Sequence, residues 1–263
     1  MTWAFPIYRI EPDARSSANT RNDSEGRFYK YWCVGVAYSY DIDRLDGLDS
    51  YNVENILHHL HENLVRLPSG YHLPQGVDSG ADLMVGYLLF DAWLSATDRH
   101  DENWELSIDN NGYALCPTFD HGDSLGVKLS AQDREVSNFE HPALIESCWW
   151  ENITIVGRVE SAEISSIRAF TTAAKLYPDA ARIWQEQLTQ VTSTRIIEIF
   201  ERVPDDRITP TAAKFAIDLL EFNRQKLIAI SSRPDLQERL NADLTIKEPK
   251  SSSKQLKPPQ QSL

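Results

Sequence analysis

Thr97-Asp98-Arg99-His100-Asp101-Glu102-Asn103-Trp104 and Pro117-Thr118-Phe119-Asp120-His121-Gly122-Asp123-Ser124-Leu125-Gly126 are two polar stretches set among apolar segments. Ahead of the first, Asp78 or Ser79 caps a predicted helix that runs to about Ser95. It is apolar nearly all round (Leu83, Val85, Leu88, Leu89, Phe90, Trp93), the pattern of a helix buried at the centre of a domain. Between the two stretches, Trp104 to Ile108 and Tyr113 to Pro117 flank the turn Asp109-Asn110-Asn111-Gly112 and predict a hairpin. The order is central helix, polar loop, hairpin, Asp-x-Gly.

Outward from this core, Asn52 to Val65 carries Val53, Ile56, Leu57, Leu60 and Leu64 at helical spacing and predicts an amphipathic helix. Arg9 to Arg27 is polar and turn-rich, and Phe28 to Tyr40 is aromatic and β-branched enough for a strand or two. Residues 121 to 150 read as irregular, with Trp149-Trp150 as core candidates. From Ala162 onward the chain reads as helical: Pro178 starts one helix, Thr192 or Ser193 caps the next, and Thr209-Pro210 opens the last, which runs to about Ser231. The expected class is α+β and predominantly helical. Three parts are expected: a short β-containing segment over 1–50, the main body over 51–235, and a disordered basic tail over 236–263.

The 263 residues are 41% apolar and 25% charged, an ordinary composition for a globular chain. No apolar run approaches the ~18 to 20 residues that a membrane helix needs. No basic start leads into a long apolar stretch, and Cys33, Cys116 and Cys148 form no CxxC, so a cytoplasmic, reducing setting is expected. The net charge is -13; the tail from Ile246 holds four lysines against Glu248, which is +3 and leaves -16 on the rest. Such a body repels a phosphate backbone, so no nucleic-acid partner is expected for it.

Asp98 and Asn103 lie five residues apart, and Asp120 follows the hairpin. Phosphoryl transfer from ATP asks for one carboxylate that orients the accepting hydroxyl, an amide oxygen five residues on, and a second carboxylate beyond a hairpin, the last two holding magnesium. Asp and Asn suit that ion because it is hard and takes oxygen ligands. The two quoted stretches resemble the catalytic and metal-binding segments of HipA-like kinases, bacterial relatives of serine/threonine kinases. The final helix, Thr211-Ala212-Ala213-Lys214-Phe215 through Asn223-Arg224, resembles that family's carboxyl-terminal helix, and the likeness spans about Asn52 to Ser231. Asp-Arg-His-x-x-Asn also occurs in phosphatidylinositol kinases.

The resemblance implies a protein-kinase-like lower lobe with ATP and Mg2+ as cofactors and a protein as substrate or regulatory partner, in the toxin–antitoxin setting of that family. It implies Asp98 as the catalytic carboxylate, Asn103 and Asp120 as magnesium ligands, and His100 as a structural or phosphate-proximal residue. An upper lobe should add a glycine-rich loop and a strand lysine. No GxG stands upstream of Asp98, and the only lysine there is Lys30, in Phe28-Tyr29-Lys30-Tyr31-Trp32. The upper lobe is therefore expected to be truncated or degenerate, with Lys30 as its candidate phosphate-binding lysine. Two functions stay open: a phosphotransferase acting on a serine or threonine hydroxyl, and a catalytically inactive kinase-fold binding or regulatory module.

Other signals are weaker. His58, His59, His61 and Glu62 share one short helix without a further ligand in step, and read as a solvated face. Asp41 to Gly47 starts like a calcium loop, but Asn52 stands where the bidentate glutamate belongs. Ser124 has no motif-placed histidine base and reads as a capping or packing residue.

Overall fold

Ser79 and Asp82 begin the helix on which everything else is assembled. In the computed structural model, Ser79 Oγ accepts from the Asp82 N–H at 3.1 Å, and Asp82 Oδ2 accepts from the Ser79 N–H at 3.0 Å. This reciprocal box satisfies two of the donors that a helix start leaves open, worth about 1 kcal/mol. The structure describes residues 38–40, 52–68, 70–99, 103–109, 111–145, 149–155 and 158–230. Lys30, His100, Cys148, the 41–47 segment and the 236–263 tail lie outside the described residues, as does all of segment 1–50 except its strand.

The elements are β1 (Tyr38–Tyr40), α1 (Val53–Glu62), α2 (Gly80–Leu94), β2 (Leu106–Asp109), β3 (Gly112–Leu115), α3 (Ala131–Glu135) and α4 (Pro142–Ile145). After them come β4 (Trp149–Ile155), β5 (Arg158–Ile164), α5 (Ser166–Leu176), α6 (Pro178–Thr189), α7 (Ser193–Phe200) and α8 (Pro210–Ile230). The molecule is mostly helical, with a small antiparallel sheet. Leu83, Met84, Val85, Leu88 and Leu89 on α2 are all buried, so apolar side chains leave this helix in every direction. That requires partners all round, and α1, α5, α6 and α8 supply them.

In the sheet, β2 lies between β1 and β3, with Tyr38 opposite Ile108 and Leu106 opposite Leu115. Arg66 adds one parallel bridge to Ala114. Its N–H donates to Tyr113 O and its carbonyl accepts from Leu115 N, both at 2.9 Å, which ties the end of α1 to the hairpin. The predicted helices at 53, 80, 178, 193 and 210 and the hairpin around Gly112 are all present.

The stretch read as irregular departs from the expectation: it holds the short helices α3 and α4. At its end begins a second hairpin, β4–β5, which runs into the stretch read as helical from Ala162 and is paired from Trp149↔Ile164 to Ile155↔Arg158. Its signal is Ile153-Thr154-Ile155-Val156 ahead of Gly157, a β-branched run before a turn residue. Trp149 and Ile164 close its open end inside the main core, so the buried pair and its ladder override the weak helical pattern that Ala162 begins.

A smaller cluster stands apart from the main core: Leu129, Leu144, Phe215 and Leu219, with Phe139 packed against it. It seats the chain beyond Asp120 on α8, with Phe139 5.4 Å from the Phe215 ring and 5.1 Å from the Phe222 ring.

Gly86 sits where α2 meets α6. A Cβ there would collide with the Trp184 ring at Cε2, and the indole cannot swing away freely because its Nε1–H donates to Asp82 O at 2.8 Å. Gly86→Ala therefore pits a helix-propensity gain of about 1 kcal/mol against overpacking of about 1–3 kcal/mol. The net expectation is a lower unfolding midpoint in urea; a raised midpoint would show that Trp184 yields.

Candidate functional site

The site begins with a charge in an apolar helix. Asp91, near the end of α2, is fully buried, as is Arg99 eight residues on. Arg99 Nε donates to Asp91 Oδ2 at 2.8 Å and Nη2 donates to Oδ1 at 2.7 Å, a bidentate fork that a planar guanidinium makes and an ammonium cannot. The remaining reach of the same guanidinium is spent on two loops. Nη1 donates to Asn103 O and, at 2.9 Å, to Phe119 O; Nη2 lies 3.0 Å from His121 Nδ1.

One side chain therefore fastens the Asp98 loop to the Asp120 loop and both to α2. Asp98 precedes Arg99 and Asp120 follows Phe119. The Asn103 amide is buried, and its Nδ2 donates to the Asp98 carbonyl. That bond closes the Asp98 loop on itself and turns the amide oxygen the other way. A further tie runs from Thr97 N–H to Asp123 O at 3.0 Å. Asp98, Asn103 and Asp120 thus stand on two loops that run side by side.

His121 is held from three sides. An arginine N–H can only donate, so Nδ1 accepts and the ring proton sits on Nε2, 3.2 Å from Thr118 Oγ1. The Phe90 ring meets the imidazole edge-on at 5.0 Å. Burial and the Arg99 charge push its pKa down from 6.5 to about 4, against the opposing pull of Asp91 and Asp120. His121 is neutral at physiological pH, and its 3.8 Å approach to Asp91 is no ion pair.

Asp120 has φ +54°, the left-handed region that costs a non-glycine residue roughly 1–2 kcal/mol and that Asp tolerates better than most. Its side chain is exposed, and its Oδ1 lies 3.8 Å from the place a Cβ on Gly122 would take, over a residue with no side chain. Ser124 Oγ donates to His121 O at 2.7 Å, so this hydroxyl closes a turn as expected.

Among the described residues no group of three or more His, Cys, Asp or Glu side chains is placed to hold a metal ion. The set on the two loops differs in kind: two carboxylates and an amide oxygen, hard donors without nitrogen or sulfur. The imidazole beside them turns its lone pair to Arg99. This donor set fits magnesium and suits a soft metal poorly. Of the residues expected from sequence, Asp98 and Asn103 share one loop, joined by the bond from Asn103 Nδ2 to the Asp98 carbonyl, and Asp120 stands on the loop that Arg99 ties to it through Phe119 O.

Asp91, Arg99 and His121 are the parts that sequence reasoning missed. Their signal was a lone aspartate in an apolar helix followed by an arginine eight residues later, which only the fold turns into a pair. Away from the site, His58 and His61 are exposed, and His59 Nε2 lies 3.0 Å from Asn63 Nδ2.

No protein-family model matches the chain, and no curated protein matches it. Among solved structures it is similar to a proinflammatory kinase of Helicobacter pylori, CtkA, with a TM-score of 0.49 and 16% identity over 74% of this chain and 66% of that one. The chain thus spans slightly less than two thirds of that kinase.

Two outcomes follow from the geometry. Asp91→Asn keeps the shape and removes the charge that compensates a buried guanidinium, so it should cost about 3–5 kcal/mol in urea unfolding; an unchanged midpoint would mean that Arg99 finds another anion. His121 binds a proton less readily folded than unfolded. The unfolded chain therefore takes it first, and the metal-free protein should lose stability as pH falls from 6.5 toward about 4. Urea midpoints at pH 7 and 5 measure this, and His121→Gln should remove that part of the slope.

Proposed function

We propose that the chain is a HipA-like, ATP- and magnesium-dependent phosphotransferase acting on a serine or threonine hydroxyl of a protein. The observation that carries the proposal is the Arg99 tie. It ties the loop that carries Asp98 and Asn103, five residues apart, to the loop that carries Asp120 beyond a hairpin, and this supports the division of labour that phosphoryl transfer uses. In this reading Asp98 orients the accepting hydroxyl and takes its proton, while Asn103 Oδ1 and the Asp120 carboxylate hold magnesium. The ion, when bound, supplies charge neutralisation on the triphosphate. Arg99 keeps the three groups in register, and the neutral His121 seals the inner side of the Asp120 loop. Lys30 is the proposed phosphate-gripping residue.

One observation favours a second reading, a regulatory kinase-fold module: the sequence upstream of Asp98 has no glycine-rich loop.

The two readings part on nucleotide binding. A ligand at 100 times its Kd stabilises a protein by ~2.7 kcal/mol, a visible rise in Tm. Millimolar Mg·ATP should raise the Tm of the chain. Asp120→Ala should abolish the rise, whereas Asp98→Ala should keep the rise and lose phosphate transfer. No rise for the wild type would remove the phosphotransferase reading, and an active Asp98→Ala variant would remove the role of that carboxylate.

A further inference from the structure

A helix leaves its last carbonyls without partners in its own ladder. At the end of α2 they lead straight into the Asp98 loop. Trp93 O accepts from Asn223 Nδ2 at 3.0 Å, Leu94 O from Leu125 N at 2.9 Å, and Ala96 O from Ser166 Oγ at 2.6 Å. Three distant parts of the chain thus hold the peptide that precedes Asp98.

Asn223 differs from the other two in spending one amide nitrogen twice. Its second bond goes to Ser95 Oγ at 2.9 Å. Ser95 caps α2 with φ +50°, the left-handed conformation that glycine adopts readily and serine does not. Asn223 is itself 2% exposed and Ser95 7% exposed, so water does not replace these bonds. Trp93 Nε1–H donates back to Leu220 O at 3.0 Å, so α8 and the end of α2 grip each other from both sides. Beyond Ser95, the Ala96 N–H returns to Asp91 O at 2.9 Å and the Thr97 N–H goes to Asp123 O. The direction in which the chain leaves α2 is therefore set at Ser95, three residues before Asp98.

We propose that Asn223 is a positioning residue: by bonding Trp93 O and Ser95 Oγ it holds the left-handed turn that aims the Asp98 loop at the Asp120 loop. The turn at Ser95 depends on these bonds whatever reaction the chain performs. The consequence for phosphate transfer rests on the function proposed above. A residue of α8, which touches neither loop through its amide, thereby controls the carboxylate assigned to the acceptor hydroxyl.

The test uses the full chain and two readouts. Asn223→Leu keeps the volume and removes both bonds. Hydrogen exchange at the Ala96, Thr97 and Leu125 amides should accelerate at least tenfold, while amides inside α5 and α6 change less than twofold. Mg·ATP hydrolysis should lose at least tenfold in kcat with KM for ATP within twofold. Ser95→Gly placed on Asn223→Leu should restore most of both, because glycine holds the turn without the amide.

Unchanged exchange, uniformly faster exchange throughout the molecule, or no recovery on adding Ser95→Gly would each overturn the proposal. So would local exchange changes with kcat intact. If Asn223→Leu does not fold, Ser95→Ala removes one of the two bonds and should still speed exchange at Thr97 about threefold; unchanged exchange there overturns the proposal. A wild type that neither binds nor hydrolyses Mg·ATP defeats the phosphotransferase reading, and exchange then decides the loop geometry by itself.

Discussion

A carboxylate and a guanidinium buried against each other dominate this molecule. Asp91 and Arg99 face no water, and each would be costly to bury alone. Their pairing is tolerated because the guanidinium also meets two carbonyls and an imidazole, leaving few donors to strand. The pair does more to specify than to stabilise. An apolar pair of the same volume would fill the space equally well and say nothing about where the two loops go.

The constraint spreads outward through polar groups that must be satisfied. With Arg99 fixed, His121 has one tautomer available, and that tautomer turns its N–H to Thr118. With α2 ending where Asp91 requires, its last carbonyls fall to Asn223, Leu125 and Ser166, so α8, the loop beyond Asp120 and the start of α5 all register on one helix end. Strain gathers there too, at Ser95 and Asp120, two non-glycine residues in the left-handed region. Backbone strain of this kind persists only where surrounding contacts over-determine it, and here they do.

Much of the scaffold was legible in the chain itself. The apolar run of α2, the capping residues Ser79 and Thr192, the prolines at 178 and 210 and the turn before Gly112 are local signals that act within a few residues. The spacing of Asp98, Asn103 and Asp120 was legible for the same reason. The β4–β5 hairpin was not, because its buried pair Trp149 and Ile164 is set by the core they enter rather than by their neighbours in sequence. Nor did any pattern show that Asn223 reaches the end of α2 across 128 residues.

Local order in the chain was enough to mark the long helices α1, α2, α6, α7 and α8, their starts, and the oxygen-bearing side chains that the two loops carry. Propensity, capping and hydrophobic period operate over one or two turns, and a single sequence displays them in full. The pairing of Asp91 with Arg99, the neutral His121 and the tie between the two loops came from the packed fold. Those outcomes depend on burial, and burial is the joint product of every element packed around α2.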